Sequence, residues 1–138
     1  MTAGANLDLS GRWTGIFNYP AFQPPNGFEA VLRDVGGAIS GTISEQDDDP
    51  QGSGGTLHSF IEGHRQGSAV TFTKMYDDLD RMPEPVFYSG AIQPDGNEID
   101  GRWEIPGHWG GTFLMVRNPG ADEAVEEQAG EEVPVPGR

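Results

Sequence analysis

Lys74 and Tyr76 are the residues whose types and spacing most clearly suggest chemistry. They stand two apart near the end of an alternating stretch in which Val70 and Phe72 share their parity. Because side chains alternate between the two faces of a strand, both polar groups are predicted to point inward with the apolar residues. A buried ammonium flanked by phenols favours a carboxylate or another anionic group on a ligand. The alternative is that Lys74 extends to solvent while Tyr76 caps the core.

Further aromatic residues and one histidine are predicted to lie at the same end of the molecule as this pair. They lie at the ends of predicted strands or in the turn between the last two. Apolar walls with a few convergent polar groups are typical of small-molecule sites. The candidate ligand-binding residues are Tyr19, Lys74, Tyr76, Tyr88, Trp103, His108 and Trp109.

Catalytic and metal-binding patterns do not accompany these residues. We find no nucleophile paired with a base and a supporting third group, and no paired acids at a diagnostic spacing. The chain has no cysteine, which excludes disulfides, thiolate nucleophiles and zinc–thiolate sites. His58 and His64 share outward parity six residues apart, so they are not expected to converge on a metal ion. An enzyme that uses the candidate ligand-binding residues is therefore the least favoured interpretation.

Two acidic runs, residues 47–49 and 77–80, are predicted to lie in loops at the end that carries the candidate site. They could bind Ca²⁺ or attract a cationic ligand, but neither run has the spacing of an EF-hand loop. Solvated loop residues are the preferred interpretation. No metal ion or cofactor is expected.

Composition restricts the class of protein. The chain combines 21 glycines and 11 prolines with no long helical periodicity, which is typical of many short strands joined by turns. The formal net charge of −14 opposes binding to nucleic acid or to anionic membranes, since both need a basic surface. No secretion signal or membrane span is recognisable, so a cytoplasmic protein is expected.

Eight alternating stretches, joined by local connections, predict an all-β antiparallel up-and-down barrel over residues 7–117. Closure into a barrel removes the two edges that an open sheet would expose. Three long connections, including a polar loop over residues 45–56, share one end, which is the predicted mouth. Residues 1–6 and the acidic tail 118–138 are predicted to be disordered.

Trp13 and Arg117 are predicted to close the opposite end of the barrel. Trp13 lies near the start of the first strand and Arg117 ends the last, and both positions fall at the end with short connections. A guanidinium can stack on an indole while it donates to backbone carbonyls of the first strand. The role expected of this pair is structural.

Gly11-Arg12-Trp13 on the first strand, together with Arg117 at the end of the last, resembles the signature of the calycin superfamily, which covers lipocalins, fatty-acid-binding proteins and avidins. Residues 9–14, Leu-Ser-Gly-Arg-Trp-Thr, are also similar to the opening strand of avidins, and the overall likeness is to small bacterial avidin-like or lipocalin-like proteins. The resemblance implies a ligand-binding barrel, and fatty-acid-binding proteins have a basic-x-tyrosine pair analogous to Lys74 and Tyr76. The spaced tryptophans of the avidin biotin site, and the disulfide and helix of lipocalins, are missing.

The sequence therefore predicts a small-molecule binding protein whose ligand is largely apolar with one polar or anionic end. The alternative is a filled barrel that acts through protein contacts or as a homo-oligomer. Residues 11–20 also resemble the start of nitrobindin-type haem barrels, in which case His108 is the histidine placed to meet the iron. The outward apolar residues available for assembly are Val31, Phe60, Phe87, Leu114 and Val116.

Overall fold

The computed structural model is a closed antiparallel barrel in which eight strands follow one another in chain order. The last strand pairs with the first and completes the ring. The structure describes residues 8–21, 23–46, 55–78, 80 and 82–117. The predicted fold class is confirmed, while the segments predicted to be disordered, 1–6 and 118–138, lie outside the described residues. The strands are β1 Gly11–Asn18, β2 Asn26–Val35, β3 Ala38–Gln46, β4 Thr56–Gln66, β5 Ala69–Tyr76, β6 Val86–Ile92, β7 Glu98–Ile105 and β8 Trp109–Val116.

Alternation along each strand separates the interior from the solvent face. In β2, Phe28, Ala30 and Leu32 are buried while Glu29 and Arg33 are exposed, as the period-two pattern predicts. The inward-facing side chains of all eight strands form one apolar core. A predicted strand boundary needs correction at the mouth. The loop predicted from residue 45 begins later, because β3 continues to Gln46.

The end with the short connections is tied shut by a buried carboxylate. Asp34 Oδ2 accepts from the backbone N–H of Leu9 at 3.0 Å and from Nε of Arg65 at 2.8 Å. Its other oxygen accepts from the N–H of Gly37 at 2.9 Å. One side chain thereby joins the N-terminal segment to the turn after β2 and to the end of β4.

Trp13 and Arg117 meet at this same end. The guanidinium carbon of Arg117 lies 4.7 Å from the centroid of the Trp13 ring. Nη1 of Arg117 donates to the backbone carbonyls of Asp8 and Ser10 at 3.0 and 2.8 Å, and Nη2 donates to that of Gly96. The Trp13 indole N–H donates to the carbonyl of Leu9 at 2.9 Å. The arrangement joins the first strand to the last.

Glycine allows the strands to cross closely where the barrel coils. A Cβ on Gly101 would meet the backbone carbonyl of Ser89 on β6, and one on Gly63 would meet that of Thr71 on β5. These glycines therefore serve close packing between strands rather than making room for a ligand.

No helix in the described part of the chain is long and apolar enough to cross a membrane.

Candidate functional site

A cavity of about 770 Å³ opens at the end of the barrel that carries the long connections. Its volume lies within the range of small-molecule sites. Six of the predicted ligand-binding residues line it, and His108 does not. The lining residues are Phe17, Tyr19, Gln23, Pro24, Glu45, Leu57, Lys74, Tyr76, Met82, Pro83, Glu84, Val86, Tyr88, Trp103, Ile105 and Trp109.

A buried polar cluster lies in the wall of this cavity. Nζ of Lys74 donates to Oε1 of Glu45 at 2.9 Å and to the hydroxyl of Tyr76 at 2.8 Å. The Tyr76 hydroxyl in turn donates to the same Glu45 oxygen at 3.0 Å. Lys74 and Glu45 are only 2% and 7% exposed. The inward direction predicted for Lys74 is therefore what the structure has, with a carboxylate as its partner.

Aromatic rings surround the ammonium group of Lys74. Nζ lies 4.4 Å from the centroid of Phe17, 4.5 Å from that of Tyr76 and 5.6 Å from that of Tyr88. Burial lowers the pKa of Lys74, while the charge and hydrogen bond of Glu45 oppose this effect; the net direction is downward. Desolvation therefore makes this amine easier to deprotonate than an exposed lysine.

Tyr88 presents a buried hydroxyl to the cavity. Its ring stacks on Phe72 with centroids 4.7 Å apart and meets Phe113 edge-on at 5.2 Å. Within the described residues, no hydrogen bond to its hydroxyl is formed, although the side chain is 3% exposed. Burial raises the pKa of Tyr88 well above its usual value, and the neighbouring phenol of Tyr76, the carboxylate of Glu45 and the phenol of Tyr19 raise it further. Tyr88 is therefore a neutral O–H donor in the cavity wall.

The rim of the cavity is aromatic. Tyr19 stacks on Trp109 with centroids 5.4 Å apart, and both rings meet Trp103 edge-on at 5.6 and 5.5 Å. The Trp103 indole N–H donates to the backbone carbonyl of Asn18 at 3.1 Å. This bond fixes the orientation of its ring, so the rim is a preformed apolar surface. Trp109 remains 38% exposed.

His108 lies apart from the other candidate ligand-binding residues. Its Nε2 is 2.9 Å from Oε2 of Glu84, and both side chains are 53% exposed. It lies on the outer rim, in the turn between β7 and β8. His58 and His64 are exposed on β4, consistent with their outward parity. In the described ranges, no group of three or more histidine or acidic side chains could hold a metal ion; residues 47–49 lie outside those ranges.

Glu45 is the site residue that sequence reasoning missed. The polar run over residues 45–56 predicts a loop from this residue onward, yet Glu45 shares the parity of Ile39 and Ile43 on β3. That parity was the available signal. The register that sets Glu45 beside Phe28 on β2 and Leu57 on β4 places its carboxylate inside the barrel.

The outer face carries several exposed apolar side chains. Phe60 is 59% exposed and Val31 is 51% exposed. They flank Thr42 in one row across β2, β3 and β4. Phe87, Leu114 and Val116 are 45%, 37% and 44% exposed.

No protein-family model matches the chain, and no curated protein matches it in sequence. The class of protein is therefore defined by the architecture and the site. It is an eight-stranded antiparallel barrel in meander order, which is compatible with a calycin-like fold. Its mouth leads to a cavity with a buried polar cluster.

Proposed function

We propose that this barrel binds a small molecule that is largely apolar and carries one neutral polar end, held near Tyr88. The observation that carries the proposal is the Tyr88 hydroxyl, which is buried in the cavity wall without a partner among the described residues. A buried donor that makes no hydrogen bond costs about 1–3 kcal/mol. A ligand that accepts this hydrogen bond recovers that free energy.

The charge of the cluster supports a neutral polar end rather than an anionic one. Lys74 already forms an ion pair with Glu45, so the cluster as a whole carries no net positive charge. A ligand carboxylate would bring a second negative charge into a low-dielectric site beside Glu45, where like charges repel strongly. A hydroxyl or a carbonyl group can accept from Tyr88 without that cost.

The remaining wall supports an aromatic or conjugated body for the ligand. Trp103, Trp109 and Tyr19 form a preformed rim, and Phe17 lines the interior. Rigid aromatic walls contribute a large apolar contact area with little loss of conformational entropy, and they favour flat partners. A cavity of about 770 Å³ accommodates a molecule of a few fused or linked rings.

Isothermal titration calorimetry with two matched probes tests this function. We expect naphthalenemethanol to bind more tightly than naphthoate. Tyr88→Phe should weaken the alcohol about tenfold, the loss of one hydrogen bond. Phe87→Ala serves as the control, since Phe87 is the neighbouring outward residue on β6. The affinity of this variant for naphthalenemethanol should equal that of the wild type. Binding of neither probe by the folded protein, or tighter binding of naphthoate, would contradict the proposal.

Assembly through the outer face is a second candidate, favoured by the exposure of Phe60 and Val31 in one row. Exposed apolar side chains that form a continuous patch are typical of contact surfaces. Sedimentation equilibrium of the wild-type protein and of Phe60→Ser tests this candidate. A wild-type multimer that becomes monomeric in the variant would support it, and a wild-type monomer at high concentration would exclude it.

A further inference from the structure

Lys74 is the only lysine in the 138-residue sequence, and it is buried in the cavity wall rather than exposed. Lysine is among the residues that are almost never fully buried unless they are paired. The seven other basic residues are arginines, since lysine and arginine together number eight. The chain therefore carries its single side-chain amine at the one place where the proposed ligand would meet it.

The groups around Nζ are those that an amine needs to react with a carbonyl compound. Glu45 Oε1, at 2.9 Å, is placed to take up a proton from Nζ. The donor hydroxyl of Tyr88 belongs to a ring whose centroid is 5.6 Å from Nζ. A carbonyl group that accepts from Tyr88 would have its oxygen polarised for attack, and the amine lies over the ring of the same tyrosine.

We propose that Lys74 binds an aldehyde or ketone ligand reversibly as an imine. This inference rests on the proposed function, since the same cavity must first admit the ligand. It narrows the neutral polar end of that ligand to a carbonyl group. Amine nucleophiles that form such bonds are activated when they are desolvated in an apolar pocket.

The carboxylate of Glu45 accepts and returns every proton that moves during imine formation. Nζ passes a proton to Glu45, and its lone pair forms a bond to the carbonyl carbon while the π electrons move to oxygen. Glu45 protonates that oxygen and then takes the second proton from nitrogen, which leaves a neutral carbinolamine. The C–O bond breaks as Glu45 returns its proton, and water departs. The product is a protonated imine, and its positive charge faces the restored Glu45 carboxylate.

The surroundings of Lys74 favour both the attack and the product. Burial lowers the pKa of this amine, which raises the fraction that is deprotonated and able to attack. The rings of Phe17 and Tyr76 lie 4.4 and 4.5 Å from Nζ, so aromatic faces attract the cationic imine as they attract the ammonium. Glu45 provides its counter-ion.

Naphthaldehyde, the aldehyde that matches the probes above, tests the inference because the folded chain offers only Lys74 and its α-amine as primary amines. We would add the aldehyde with cyanoborohydride at neutral pH and locate adducts by peptide mapping. Absorbance without the reductant would report the protonated imine directly. We expect Lys74 to react at least about tenfold faster than the α-amine in the native protein. In urea the order should reverse, because an ordinary lysine has a pKa of about 10.4 and an α-amine about 8.

Two variants keep the result interpretable. Lys74→Arg retains the charge and should lose both the adduct and the absorbance change. Glu45→Gln retains the amine but loses the proton carrier, and its adduct should form about a hundredfold more slowly. Circular dichroism identifies variants that remain folded.

The outcomes separate the two proposals. Binding of naphthalenemethanol, with neither an absorbance change nor a Lys74 adduct from the aldehyde, would overturn the imine while the binding function stands. The imine proposal would also be overturned if Lys74 reacted no faster in the native protein than in urea. Failure of both the alcohol and the aldehyde to bind would overturn both proposals.

Discussion

Lys74 and Glu45 form an ion pair, with 2.9 Å between Nζ and Oε1, in which the two side chains are only 2% and 5% exposed. They come from β5 and β3, which are separated by β4. Removing two charges from water costs several kcal/mol per ion, and their attraction offsets this only in good geometry. A buried ion pair is therefore weak evidence for stability, and its position in the cavity wall supports the proposals of ligand binding and imine formation.

Loss of one partner of this pair should destabilise the protein strongly. We expect Lys74→Met to lower the free energy of unfolding by about 3–5 kcal/mol, because the Glu45 carboxylate is left buried without its counter-ion. The double variant Lys74→Met with Glu45→Leu should recover most of that loss. Urea denaturation measures both. A double variant less stable than the single one would show that the pair itself stabilises the fold.

The two phenols of the cluster should respond differently to loss of the hydroxyl. Tyr76→Phe is expected to cost about 1–2 kcal/mol of stability, since its hydroxyl accepts from Lys74 and donates to Glu45. Tyr88→Phe removes a buried hydroxyl that lacks a partner among the described residues, so stability should stay unchanged or rise. Thermal unfolding measures the stability of each variant relative to the wild type. Equal destabilisation by both changes would contradict this account of Tyr88.

Arg117 should be required for closure of the barrel and not for the ligand site. Arg117→Ala is expected to cost about 2 kcal/mol, since it removes the stacking on Trp13 and several hydrogen bonds to backbone carbonyls. Arg117→Lys should recover little, because an ammonium lacks the planar fork. The control is Arg102→Ala, an exposed position on β7, which should be neutral. The denaturant midpoints of the variants measure these losses of stability. An equal loss in Arg117→Ala and Arg102→Ala would refute the role of Arg117 in closing the barrel.

Asp34 should make stability depend on pH in the acid range. Burial alone would raise its pKa, but hydrogen bonds from Arg65, Leu9 and Gly37 outweigh burial and hold the pKa below its usual value. The folded state therefore favours the ionised form. Its stabilisation is complete above the unfolded pKa of about 4 and is lost as the pH falls through the lower folded pKa.

The variant Asp34→Asn isolates this contribution. We expect it to be roughly 2 kcal/mol less stable than the wild type at neutral pH, a figure reduced for the partial exposure of Arg65. The difference should narrow as the pH falls below about 4. Unfolding curves recorded across the acid range give both profiles. Parallel profiles would show that Asp34 does not titrate with a lowered pKa.

Local patterns in the sequence were sufficient for the architecture and for much of the cavity wall. Alternation identified Val70 and Phe72 as inward residues of β5, and both are buried, because strand parity is a property of the chain itself. The lengths of the connections indicated which end is open. The direction of the His108 side chain could not be predicted in this way, because a turn residue has no strand parity; in the structure its Nε2 lies 2.9 Å from Oε2 of Glu84.

The sequence by itself was sufficient to predict the meander barrel and to give Lys74 the parity of the inward residues, since both follow from local alternation and turn residues. Only the tertiary structure decided what Lys74 meets there. Glu45 lies 29 residues earlier in the chain, and the register of β3, β4 and β5 brings the two side chains together. Strand register arises from many pairings across the sheet, and a partner so distant in sequence leaves no local pattern. That one contact narrows the proposed end of the ligand from polar or anionic to a neutral polar group.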